Sequence, residues 1–178
     1  MATVQLTNGV TVLVDKRDVG RVTRHNWYYH TCGANKPARA RTKIGGQWVY
    51  MHRYILDLWD RDKFVDHING DPLDNRRDNL RVCVNSQNCQ NSKKQKTMRG
   101  DPCTSKYKGV SLSTSKPFGG KYGEYTYWRA GVGVDGAWHY IGQFKTEEDA
   151  ARAYDKKAAE LHGEFARLNC PATPPAGS

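Results

Sequence analysis

VDHINGDPLDNRRDNLRVCVNSQNCQNS, residues 65–92, is the stretch on which the reading of this chain turns. It is crowded with Asp and Asn and holds one histidine, His67. Asx-rich stretches are most often loops whose side chains bond their own backbone. A calcium loop is excluded by position, because an EF-hand needs oxygen donors at alternate positions and glycine at the sixth. Counted from Asp66, the third position is Ile68; counted from Asp71, the third is Leu73 and the sixth is Arg76. Short apolar runs, Phe64-Val65 and LRVCV (80–84), flank the polar part as two strands would bracket an ordered, omega-like loop. The closing part, NSQNCQNSKKQ (85–95), reads as a helix with Asn85 as N-cap and Asn88, Asn91, Ser92 and Gln95 on one face. Cys89 is its only apolar residue, so packing offers little to hold it. A metal ion or a docked loop is expected to anchor it.

Hydrolysis of a phosphodiester needs a divalent ion on the scissile phosphate and a base for the attacking water. Oxygen ligands suit Mg2+ or Mn2+, and imidazole is the side chain best poised to take a proton near neutral pH. Asp66 and His67 are neighbours on the first expected strand, so their side chains diverge. One can bind metal while the other faces the water. Asn88, early on the helix, is placed to supply a second protein oxygen, leaving the remaining positions to water and phosphate. An isolated Asp-His pair carries no signal, and an ordered loop without chemistry is the competing reading.

The segments VDHINGDPLDNRRDNLR and NSQNCQNSK resemble the HNH endonuclease family, the ββα-metal nucleases, and especially the phage and intron-encoded homing enzymes. The resemblance implies His67 as general base and Asp66 and Asn88 as ligands of one Mg2+ (or Mn2+) ion. It also implies Asn79 as the middle residue of the motif, whose side chain ties the loop to the His-bearing strand. Asn88 stands at a position that is His in other members; this phage-type variant implies a metal other than zinc. Arg76, Arg77 and Arg81 read either as phosphate contacts or as solvated charges.

Outward toward the N-terminus, residues 2–59 alternate as short strands: TVQLT and GVTVLVD around a TNG turn, then NWYYH, KPARART and QWVYMH. Asp15 is placed to cap a short helix in DKRDVGRVTRH, and MHRYILDLW (51–59) runs apolar at helical spacing through Tyr54, Ile55, Leu58 and Trp59. This segment is similar to the region that precedes the motif in phage HNH proteins, which makes His52 and Arg53 candidate DNA contacts. A satisfied core histidine is the equal alternative for His52.

Toward the C-terminus, residues 93–106 mix Lys with Gly and Pro and read as a basic linker. Residues 107–169 then show three strands, YKGVSLS, TYWRAGVGV and AWHYIGQF, with KPFGGKYGEY as a Gly-rich insertion. They are followed by a helix from N-cap Thr146 to Gly163, with an apolar stripe of Ala150, Ala153, Tyr154, Ala158 and Leu161. Alternation puts Arg129, Trp138 and Tyr140 on the face away from that helix, with Lys108 nearby. These blocks resemble the AP2/ERF domain, which implies a three-stranded sheet lying in the major groove. Ser111, Ser113, Gly131 and Gly133 stand where that family commonly has Arg or Glu, so the resemblance implies DNA binding and no particular target. Residues 170–178 are expected to be a disordered tail.

Composition agrees with a nucleic-acid partner. The chain has 178 residues, a formal net charge of +10 and 11% aromatic residues; a disordered polycation would be poor in Trp and Tyr. The five cysteines, Cys32, Cys83, Cys89, Cys103 and Cys170, form no C-x-x-C pair and read as reduced thiols. No apolar run reaches membrane-span length. The expectation is an α+β protein. Residues 1–92 would form a β-rich region leading into a ββα-metal motif (64–92), and residues 107–169 an AP2-like domain. It would nick double-stranded DNA as a monomer in the cytoplasm of a host or phage-infected cell, without an obligate protein partner. Two alternatives stand beside it: an AP2-type regulator with an inactive HNH segment, and RNA binding through the exposed aromatics.

Overall fold

The computed structural model describes residues 1–31, 38–94, 97–98, 101–115 and 123–170. Cys32, the CGAN turn, most of the KPFGGKYGEY insertion and residues 171–178 lie outside the described residues. The chain divides into two compact units, Met1–Cys89 and Gln90–Ser178. Its architecture is α+β, with small antiparallel sheets and few helices.

The first unit begins with a hairpin of β1 (Ala2–Gln5) and β2 (Thr11–Val14). Its alternation sends Val4, Val12 and Val14 into the core. Helix α1 (Lys16–Val22) follows. Asp15 holds the N-cap position, yet its carboxylate caps nothing; it accepts from the backbone N–H of Arg77 at 2.9 Å. Strands β3 (Tyr28–His30), β4 (Arg39–Ile44) and β5 (Gln47–Tyr50) form an antiparallel sheet with β4 in the middle. Ala40 and Thr42 face inward, and the core closes with Val22, Trp27, Met51, Tyr54, Ile55 and Leu80. Trp27 joins that core without stranding its indole N–H, which donates to the Val22 carbonyl at 2.8 Å.

Helix α2 (Met51–Ile55) is shorter than the apolar spacing of 51–59 predicts. Asp57 takes a positive φ of 53° and Arg53 donates to the carbonyls of Asp60 and Lys63, so the chain after residue 55 is fastened as a loop. Leu58 and Trp59 therefore do not continue the buried stripe; Trp59 is 57% exposed. Strands β6 (Phe64–His67) and β7 (Leu80–Cys83) pair antiparallel, and α3 (Asn85–Gln90) follows. Asn85 is the first helical residue rather than the cap. Val84 occupies that place, its N–H taken by Gln87 Oε1 at 3.0 Å while its carbonyl accepts from Asn88 N–H at 3.1 Å.

In the second unit, β8 (Thr97–Met98) and β9 (Asp101–Pro102) make a minimal ladder inside the stretch expected to be a linker. Ser105, in the same stretch, is buried and donates to Glu147 at 2.7 Å. Strands β10 (Val110–Ser115), β11 (Tyr125–Val134) and β12 (Ala137–Phe144) form an antiparallel sheet with β11 central. Helix α4 (Glu147–His162) packs on it. Thr146 Oγ1 accepts from Asp149 N–H at 3.1 Å, and three acids fill the first turn against the helix dipole. The buried side of α4 is Ala150, Ala151, Tyr154, Asp155, Ala158 and His162. It is rotated from the expected stripe, which placed Ala153 and Leu161 inside; Leu161 is 38% exposed. Asp155 supplies the reason, since its carboxylate accepts from the N–H groups of Asn169 and Cys170 at 2.7 Å each, fastening that segment to the helix. Gly109 is required where it stands: a Cβ there would lie 2.1 Å from the Tyr154 ring, and its φ is +73°. Among the described residues, Cys83, Cys89, Cys103 and Cys170 are free thiols. No described helix is long and apolar enough to cross a membrane.

Candidate active site

Pairing of β6 with β7 opposes Asp66 to Arg81 and His67 to Leu80. Asp66 and His67 are both 7% exposed, the first at the sheet and the second against the core. The connection between the strands is folded back and bonded throughout. Asn69 Oδ1 accepts from Asp71 N–H at 2.8 Å and Asp71 Oδ1 from Leu73 N–H at 3.0 Å, as turn-forming Asx residues do. Asp74 and Asn75 do more than turn the chain, being 2% and 1% exposed. Here the loop joins β2: Leu13 N–H donates to the Leu73 carbonyl at 2.9 Å and Asn75 N–H to the Leu13 carbonyl at 2.8 Å. An extra edge on a neighbouring strand gives the loop backbone the partners it would otherwise take from water.

Asn79 sits at the loop's end, 7% exposed. Its Oδ1 accepts from Asn69 N–H at 2.9 Å and its Nδ2 donates to the Asp74 carbonyl at 2.8 Å. Its own carbonyl accepts from Ile68 N–H at 2.9 Å, one residue beyond His67. Arg77 bolts the loop to the rest of the unit. Its guanidinium donates to both oxygens of buried Asp18, at 2.8 and 2.9 Å, and to the Ile55 carbonyl at 2.7 Å.

His67 meets His52 edge to face, ring centroids 5.2 Å apart, and His52 stacks on Tyr50 at 5.5 Å. Burial pushes both imidazoles below their ordinary value, His52 the further of the two. For His67 the Asn75 side chain and the carboxylates of Asp66 and Asp71 oppose that shift, while the Arg39 charge adds to it. A neutral ring near pH 7 is the form that accepts a proton. His52 and Arg39 have no sequence signal for this place; β4 and the start of α2 bring them in from 15 and 28 residues before His67. His52 is thus a buried packing partner of His67.

Asn88 lies on α3, half-buried. Asp66 and Asn88 both offer oxygen, the donor type that a hard divalent ion takes. Among the described residues, no group of three or more His, Cys, Asp or Glu gathers as a ligand cluster. Asp66 is also held by Arg81, whose Nε and NH2 reach Asp66 Oδ2 at 2.9 and 2.7 Å, with the two side chains 11% and 8% exposed.

The HNH endonuclease family model matches residues 57–90, which contain all of β6, the loop, β7 and α3. A protein of Escherichia phage T7, Protein 3.8, is 34% identical over 129 residues, covering 68% of this chain and 94% of the phage protein. The chain carries an HNH endonuclease domain at residues 57–90. A protein of Acanthamoeba polyphaga mimivirus, described as an uncharacterized HNH endonuclease, is 35% identical over 126 residues, covering 68% of this chain. The chain spans 57% of that relative's length. No solved structure matches.

Three arginines of this HNH stretch meet carboxylates. Arg76 is paired with buried Asp74 at 2.6 Å, Arg77 with Asp18 and Arg81 with Asp66. Arg53 is spent on the 60–63 loop. In the second unit the ammonium of Lys108 donates to the carbonyls of Gln90 and Ser92 at 2.5 and 2.9 Å. Arg129, Trp138 and Tyr140 stand on the sheet's open face, Trp138 62% and Tyr140 52% exposed, with the Arg129 guanidinium 5.6 Å from the Tyr140 ring. Trp138 lies flat over Gly131, where a Cβ would come within 2.4 Å of its ring, so the glycine makes room for the indole. A shallow depression of about 180 Å³ is lined by Ser111, Arg129, Ala130 and Trp138.

Proposed function

We propose that this chain is a site-specific, homing-type DNA endonuclease that nicks one strand of duplex DNA, with His67 as the general base. The observation that supports it is a buried imidazole held below its ordinary pKa, on the strand position next to Asp66, inside the stretch that matches the HNH family. One Mg2+ (or Mn2+) ion held by Asp66 and Asn88 would supply Lewis-acid stabilisation of charge developing at the phosphate and the leaving oxygen. His67 takes the proton from water as the water oxygen bonds to phosphorus and the bond to the 3′ oxygen breaks. Asn79 keeps the loop against β6 and so holds the imidazole in place. The second unit reads as an AP2/ERF-like domain whose open face, with Arg129, Trp138 and Tyr140, lies in a groove; its three-stranded sheet backed by α4 supports that reading. One such site per chain cuts one strand, so the nicking species is a monomer.

The competing reading, a DNA-binding regulator with an inert HNH segment, has one observation in its favour: the Asp66 carboxylate is occupied by Arg81. Supercoiled plasmid incubated with Mg2+, with and without EDTA, separates the two. Metal-dependent relaxation by the wild type and its loss in His67→Ala is the expected result. Relaxation that survives His67→Ala refutes the mechanism, and binding without relaxation supports the regulator.

A further inference from the structure

The sheet β3–β5 has an outer face that the nuclease reading leaves unused. Alternation turns Arg39, Arg41 and Lys43 outward from β4, opposite the inward Ala40 and Thr42. The register sets Tyr28 and Tyr50 on either side of Arg41, Trp48 beside Lys43 and His30 beside Arg39. No Asp or Glu occurs in these three strands. The Arg41 guanidinium lies 4.0 Å above the Trp48 ring, the Lys43 ammonium 5.9 Å from the same ring, and the Arg39 guanidinium 6.0 Å from Tyr50. Tyr28 meets Trp48 edge to face at 6.3 Å. Among the described residues, Arg41 Nε is shut from solvent with no hydrogen-bond partner. Aromatic rings thus hold these cations in a row without neutralising them.

We propose that this face binds duplex DNA, with Arg39, Arg41 and Lys43 taking successive phosphates of one strand and leading that strand to His67. Alternate residues of a strand stand about 7 Å apart, a spacing comparable to that between neighbouring phosphates of one DNA strand. The row ends at the active site: the Arg39 charge acts on both His52 and His67, and Tyr50 stacks on His52, which in turn meets His67. A backbone is the occupant that fits, because Arg41 already covers a face of Trp48 on which an unpaired base would stack. The inference rests on the nuclease reading and names the surface that would position its substrate.

Binding of the full chain to a fluorescent duplex, in EDTA and across about 50 to 200 mM salt, tests it. Arg41→Gln with Lys43→Gln is expected to lower the slope of log K against log salt by about 2, at roughly 0.9 per phosphate contact. Lys16→Gln with Arg17→Gln removes the same charge from exposed positions on α1 and is expected to leave the slope alone. Should the double variant fail a thermal-melt check of its fold, exposed Lys43→Gln alone is expected to lower the slope by about 1. An unchanged slope, or an equal fall in the α1 control, overturns the surface. If metal-dependent nicking persists beside that result, only the surface is lost. A wild type that neither binds nor nicks DNA takes down the nuclease reading and the surface together. Tighter binding to a single strand than to duplex at matched salt, abolished by Trp48→Ala, would replace backbone contact with base stacking.

Discussion

The arginines of residues 76–81 and the cations of β4 are the same chemistry in two settings. Between residues 76 and 81 each guanidinium meets a carboxylate: Arg76 with Asp74, Arg77 with Asp18, Arg81 with Asp66. On β4 the cations lie over Trp48 and Tyr50, on strands that contain no acid. The first set holds a loop in shape around His67. The second keeps its charge outward. A count of Lys and Arg in the sequence treats the two alike, yet the first set is paired with carboxylates and the second lies over aromatic rings.

The largest effect expected from this contrast is at His67. His67→Ala should lower plasmid nicking by roughly 10²–10⁴-fold, the usual range for a positioned general base, while leaving the salt slope of DNA binding unchanged. A fall in binding of similar size would erase the division between a chemical loop and a binding face. Next is Arg77→Ala, which strands Asp18 at 5% exposure and should destabilise the first unit by about 3 kcal/mol. A urea midpoint that stays in place would show that the pair is not the bolt between loop and helix. Asn79→Ala should cost about 1–3 kcal/mol by removing the acceptor of the Asn69 N–H and the donor to the carbonyl of buried Asp74. Its readout besides stability is a kcat that falls with KM unchanged, as expected for a positioning residue.

pH dependence follows from the two histidines. His52 and His67 bind protons less readily folded than unfolded, because burial penalises their charged forms. Between the folded values and the ordinary value of 6.5 the unfolded chain holds more protons, so stability rises with pH there. Stability is complete above that value and is lost as pH falls through it. Urea midpoints measured on either side of it should show the loss, and His52→Asn should reduce it; a loss untouched by that change would place its origin elsewhere. The smallest effect is at the exposed pair of Arg152 and Asp149 on α4, where Arg152→Ala should leave the midpoint unmoved.

Much of the fold was legible because local rules decide it. The hairpin β1–β2, the alternation of β4 and β11, and the capped helix α4 follow from turn residues, period-two patterning and an N-cap threonine. The run 51–59 misled because apolar spacing says nothing about Arg53 reaching the carbonyls of Asp60 and Lys63, which ends the helix early. The buried side of α4 departs from its apolar stripe because Asp155, polar in sequence, is buried where it accepts from the backbone N–H groups of Asn169 and Cys170. Arg53, Arg81 and Lys108 have carbonyl or carboxylate partners that the linear sequence does not reveal, because backbone carbonyls carry no residue signal and strand pairing sets Arg81 against Asp66.

The sequence by itself determined that residues 64–92 carry an Asp-His pair, an Asn and a short helix in the order an HNH segment requires, since those features sit within one local stretch. It also determined that a basic, aromatic-rich chain folds around antiparallel strands. Only the tertiary structure decided which cations remain outward, that His52 and Arg39 adjoin His67, and that Asp66 is paired with Arg81. Those outcomes depend on contacts between residues distant in sequence, and burial sets their electrostatics only once strands and loop have come together.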